Sequence, residues 1–160
     1  MSRATHLTHT DDAGRARMVD VSTKPPVRRT ATARGFVSLA PETVRLVREN
    51  GINKGDVLPI AKIAGIMGAK QTATLIPLCH QIEIEFVDVD LVLEHDGVAI
   101  KAVARCTDKT GIEMEALTAV SVAALTVYDM CKAVDRSMRI GPIELIEKTK
   151  DQVAEQERRL

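Results

Sequence analysis

The chain has 160 residues, 45% of them apolar, which suits a single globular domain with a substantial core. Lys plus Arg equals Asp plus Glu at 22 each, and only 2% of residues are aromatic, with no Trp. Neither a basic field nor a set of stacking platforms therefore draws it to nucleic acid or to an anionic membrane. Three widely spaced cysteines, Cys79, Cys106 and Cys131, fit neither a disulfide framework nor a Cys-x-x-Cys metal site, and read as reduced, mostly buried thiols. No apolar leader occupies residues 1–18 and no run approaches the roughly 20 apolar residues of a bilayer span, so a soluble cytoplasmic protein is expected.

Residues 1–26 lack periodicity and close with Lys24-Pro25-Pro26, an extended arm. Partial alternation over 29–39 predicts a first strand. Ala40-Pro41-Glu42 opens a helix that Asn50-Gly51 ends, and Lys54-Gly55-Asp56 turns into a second helix through Met67, with Asp56 as its N-cap. Alternation from Ile82 to Leu93, with a change of phase at Phe86-Val87, predicts one long bulged strand. His95-Asp96-Gly97 is a hairpin turn and 98–106 the returning strand. A long apolar helix over 113–134 and a final strand near 143–146 complete the domain. The resulting division is an arm at 1–26, one domain at 27–148 and a charged, frayed or weakly helical tail at 149–160. The element order is that of an α+β ferredoxin-like plait, an antiparallel sheet with helices packed on one face.

The long helix carries the most information. Glu115, Thr118, Ser121, Thr126, Asp129 and Lys132 fall within roughly a 140° arc of it, while nearly everything else is apolar. Glu115 and Asp129 are fourteen residues apart, about 21 Å along the axis. One small-molecule site in one protomer could hardly use both ends.

Each charged position has a plain reading beside a chemical one. Lys54, at a helix entry beside free N–H groups, suits phosphate oxygens, or is a solvated loop lysine. Lys70, in the last turn of the second helix, favours the dipole. Cys79 and His80 are adjacent, so on an extended chain they point to opposite faces and cannot serve one another. His80 is a phosphate or proton donor, or a hydrogen-bonded histidine at a strand entry. Glu113 and Glu115 line one rim, or only favour a helix N-terminus. Asp129 and Lys132, at i and i+3, are a weak surface pair, or an acid–base pair whose neighbouring cations hold the pKa of Lys132 or Lys54 low.

Several strings decide among these. Met18-Val19-Asp20-Val21-Ser22, Lys54-Gly55-Asp56-Val57, Ala64-Gly65-Ile66, Leu75-Ile76-Pro77-Leu78-Cys79-His80, the stretch from Thr110 to Thr118 and the stretch from Ser121 to Val134 strongly resemble the cyclic pyranopterin monophosphate synthase (MoaC) family of molybdenum cofactor biosynthesis. The resemblance implies a lyase that converts 3′,8-cyclo-7,8-dihydroguanosine 5′-triphosphate into cyclic pyranopterin monophosphate and pyrophosphate. It implies a homohexamer, a trimer of dimers, with each site between two subunits. By the same resemblance Lys54, Lys132 and Asp129 are catalytic, His80, Glu113, Met114 and Glu115 line the purine and ribose side, and Cys79 also binds substrate. Arg29 and Lys70 match basic residues suited to the triphosphate. No metal site and no resident cofactor is implied, and the sequence leaves open whether Mg²⁺ accompanies the triphosphate. The chain departs from the family's pattern at Arg17, where His is usual, and in Lys148-Thr149-Lys150-Asp151-Gln152, which replaces a glycine-rich tail.

Overall fold

A computed structural model describes residues 14–151. The elements in chain order are β1 (Val27–Ser38), α1 (Pro41–Arg48), α2 (Val57–Lys70), α3 (Thr72–Leu75), β2 (Phe86–Leu93), β3 (Gly97–Asp108), α4 (Glu113–Cys131), β4 (Arg139–Ile140) and β5 (Glu144–Asp151). The sheet runs β2-β3-β1, and both β4 and β5 pair with β1, every pairing being antiparallel. Helices α2 and α4 lie against each other and against one face of the sheet. This is the α+β plait expected from the order of elements.

Alternation explains which face is covered. Ala31, Ala33 and Val37 of β1 and Val98, Ile100, Ala102, Ala104 and Cys106 of β3 point to the helices and are buried. Small residues on both layers let α4 approach closely: Ala116, Ala119, Ala123 and Ala124 are fully buried, and a Cβ on Gly68 of α2 would stand 2.6 Å from a methyl carbon of Val122. α4 has the length and composition to cross a bilayer, yet it packs as the central core helix.

Four local expectations change. Residues 82–85 are not strand: β2 begins at Phe86, where pairing with Arg105 of β3 starts, and the register to Leu93 has no bulge. The phase change at Phe86-Val87 marks the point where the chain joins the ladder, since Ile82 and Ile84 pack on the core from an unpaired segment. The last strand is longer and later than 143–146, and it carries residues 149–151 of the segment read as tail. Its charged residues conceal it, because an edge strand needs an apolar contribution from one face at most. α4 ends at Cys131, three residues early, and Asp56 stands at the N-cap of α2 without a side-chain capping bond.

Candidate active site

Both ends of α4 carry candidate site residues, and they are built differently. At the N-terminal end a cavity of about 240 Å³ is lined by Leu78, Cys79, His80, Ile82, Thr110, Gly111, Glu113, Met114 and Glu115. The four residues that the resemblance assigns to the ring side are among them, as is Cys79. Cys79 and His80 sit in a loop rather than a strand, and both line this cavity. The His80 ring donates from Nε2 to the carbonyl of Val19 at 2.7 Å, which fixes that nitrogen as protonated. The histidine thereby ties the chain before β1 to the cavity.

Glu115 is 3% exposed. Burial pushes its carboxyl up to about 7, with its own N–H pulling the other way and Glu113 and Asp108 adding to the rise. Burial acts in the same sense on Glu113, but the Lys148 ammonium, 2.6 Å from Oε1, and its own N–H outweigh it and hold that carboxyl below the usual range. Both acids thus interact with their own N–H groups in the first turn of α4. Oε2 of Glu113 and Oε2 of Glu115 are buried with no hydrogen-bond partner among the described residues. Such acceptors await donors. Burial also raises the Cys79 thiol, with the two glutamates adding to it, so this sulfur stays protonated rather than nucleophilic.

At the other end Asp129 joins two ammoniums. Its Oδ2 accepts from Lys54 Nζ at 2.6 Å and its Oδ1 from Lys132 Nζ at 2.6 Å, while Lys54 also donates to the Asp129 carbonyl at 2.9 Å. Gly55, at φ +106°, makes the turn that aims Lys54 across α2 at the end of α4. The hydrogen bonds from Lys132 and Lys54 lower Asp129 to about 2, and Asp129 in turn raises Lys132. The expectation of a lowered Lys132 is overturned, because its nearest partner is a carboxylate and not another cation. All three side chains are about half exposed, at 47%, 55% and 57% for Lys54, Asp129 and Lys132. They stand at an open surface, not in a walled cleft.

The two remaining candidates join neither group directly. Arg29 donates from Nε and Nη2 to the carbonyls of Asp108 and Lys109, each at 3.0 Å, bracing the loop that leads into α4. Lys70 is exposed at the end of α2 and outside the cavity lining. Lys148 was missed, because its strand reads as a charged tail. Asp135 was missed too; it is buried and accepts from the N–H groups of Ala40 and Ser137, which locks the chain after α4 to the start of α1. Its signal was the Asp-x-Ser spacing of a side-chain-to-backbone turn.

Comparison with known proteins agrees with the strings quoted above. The model of the MoaC family matches residues 18–151. A cyclic pyranopterin monophosphate synthase of Peptoclostridium acidaminophilum is 53% identical over 152 residues, covering 95% of this chain and 97% of that one. A protein of the same name from Thermomicrobium roseum is 58% identical over 144 residues, covering 89% and 87%, and one from Parvibaculum lavamentivorans is 54% identical over 148 residues, covering 91% and 92%. The chain belongs to the MoaC family.

Proposed function

We propose that this protein is a cyclic pyranopterin monophosphate synthase, a lyase of molybdenum cofactor biosynthesis acting on 3′,8-cyclo-7,8-dihydroguanosine 5′-triphosphate and releasing pyrophosphate. Identity of 53% and 58% over 95% and 89% of the chain to relatives bearing that name carries the reading. The two ends of α4 supply complementary chemistry. Two carboxyl groups on residues that line the cavity suit the N–H and amino donors of a guanine-derived ring, and two ammoniums at the far end suit a triphosphate.

A cavity of about 240 Å³ is below the usual range for a drug-sized ligand and has room for the ring system, not for a whole nucleotide triphosphate. The cationic end lies about 21 Å away along one helix. A second protomer that sets its Lys54–Asp129–Lys132 end against this cavity would unite the halves, cover the open lysines and exclude water. A trimer of dimers with sites between subunits is therefore part of the proposal. Light scattering of the purified protein is expected to give a hexamer; a stable monomer would sink the shared site.

In that setting Lys132, held protonated by Asp129, is a proton donor and charge neutraliser, and Lys54 is its partner on the phosphates. The reaction needs both, since the guanine-derived ring is opened and rebuilt by proton transfers while a cyclic phosphate closes as pyrophosphate leaves. Arg29 and Lys70 complete the anion-binding set. No resident cofactor is invoked, and Mg²⁺ enters only as a companion of the triphosphate. A cytoplasmic location suits the free thiols Cys79, Cys106 and Cys131.

Incubation with the cyclic dihydroguanosine triphosphate, assaying pyrophosphate and pterin product, tests the assignment. Turnover in the parent and its loss in folded Lys54→Ala and Lys132→Ala are the expected results. Binding without turnover in the parent would instead make the protein a non-catalytic metabolite-binding or scaffold member of its family.

A further inference from the structure

Lys148 stands on β5 opposite Ala31 of β1, on the helix-facing side of the sheet, with its ammonium 2.6 Å from Oε1 of Glu113. A break in register puts it there. Beyond Thr32 and Ala33 the β5 pairing slips by one residue, so Arg34 faces Glu144 and Ala33 faces Leu145, but Thr32 faces Glu147 and Ala31 faces Lys148. Side chains alternate across a strand, so without the slip Glu147 would oppose Ala31 and present a carboxylate to Glu113. The bulge exchanges a repulsive neighbour for an attractive one.

The same glutamate is shaped from its other side. A Cβ on Gly111 would lie 1.9 Å from Oε2 of Glu113, so only glycine leaves that oxygen its place. Oε2 is buried and has no partner among the described residues, on a side chain that lines the cavity, whereas Oε1 is engaged by Lys148. One carboxylate is thus split into an anchored oxygen and a waiting one.

We propose that Lys148 is a positioning residue for the synthase reaction: by holding Oε1 of Glu113 it keeps the carboxylate of this cavity-lining residue charged and in place as an acceptor for an N–H donor of the bound ring. The identity of that ring rests on the function proposed above. The positioning itself rests on the contact, the register slip and the space at Gly111. Lys148 acts through Glu113 and does not touch the reacting atoms.

The test compares the parent with Lys148→Met, Lys148→Arg, Glu113→Gln and the double variant Lys148→Met/Glu113→Gln. Steady-state kinetics are joined to a ¹³C NMR titration of the Glu113 carboxyl in the substrate-free protein. Around that carboxyl the charged groups are Lys148 on β5, Arg29 on β1 and Glu115 on α4. Lys148→Met is expected to raise KM about tenfold with kcat within about twofold, and to move the Glu113 titration upward. Lys148→Arg should restore both, and Lys148→Met should add nothing once Glu113 is Gln. An equal loss from Lys148→Met in both backgrounds, or an unmoved Glu113 titration, would overturn the proposal. A parent without turnover, whose Glu113 titration still depends on Lys148, would sink the assigned reaction and leave the positioning role standing.

Discussion

The two ends of α4 are made from one continuous helix, yet they solve opposite problems. At the N-terminal end Glu115 is buried, its carboxyl raised to about 7, and two acceptor oxygens lack donors among the described residues. At the C-terminal end Asp129 is exposed, its carboxyl lowered to about 2, and every charge has a partner at 2.6 Å. Shape and desolvation govern the first, charge pairing in water the second. Desolvated groups affect stability as well as binding, whereas solvated pairs hold little folding energy and are free to serve chemistry.

The largest predicted contrast follows from that difference. Lys132→Ala and Lys54→Ala should each lower kcat by at least about a thousandfold while leaving the melting temperature within about 2 °C, because exposed ion pairs contribute little to folding. A loss of activity that tracked unfolding would erase the contrast between the two ends.

Glu115→Gln sharpens the other half. The unfolded carboxyl titrates near 4.5 and the folded one near 7, so the native state holds a proton that the unfolded state has lost between those values. Parent stability should therefore fall as pH rises from about 4.5 to 7, by roughly 2–3 kcal/mol in all. Glu115→Gln should flatten that slope and match or exceed the parent at pH 8. Chemical denaturation at pH 5 and pH 8 measures it, and parallel pH dependence in both proteins would contradict the buried acid.

Smaller effects probe the helix that carries both ends. Gly68→Ala would push a methyl into Val122 and should cost about 1–3 kcal/mol in urea unfolding, since the α2–α4 contact has no slack. Arg45→Ala, removing the exposed pairs with Glu42 and Glu49 on α1, should leave the urea midpoint almost where it is in the parent.

The fold was legible where one periodicity ruled. β1, β3, α1, α2 and most of α4 follow from alternation, from Pro41 and from the left-handed Asn50 at φ +52° beside Gly51. It was illegible where tertiary pairing decided, as in Ile82 and Ile84, which alternate like a strand but have no ladder to join, and in Glu144–Asp151, whose charges hid an edge strand. For the site, spacing on α4 revealed two separate ends, but it could not distinguish Asp129 as a pair holder from a surface charge. That required Lys54, 75 residues away in sequence, to arrive through the Gly55 turn. Lys148 escaped because its partner Glu113 and the register slip that orients it are both distant in the chain.

Subunit complementation tests the shared site most directly. Glu115→Ala protein, defective at the cavity, and Lys132→Ala protein, defective at the cationic end, would be unfolded together, mixed in equal amounts and refolded. If each site joins the cavity of one protomer to the lysines of another, random assortment leaves about a quarter of the sites intact, and activity should return to about 25% of the parent from two inactive parents. A mixture as inactive as its components would place both ends of each site in one protomer and contradict the arrangement proposed here.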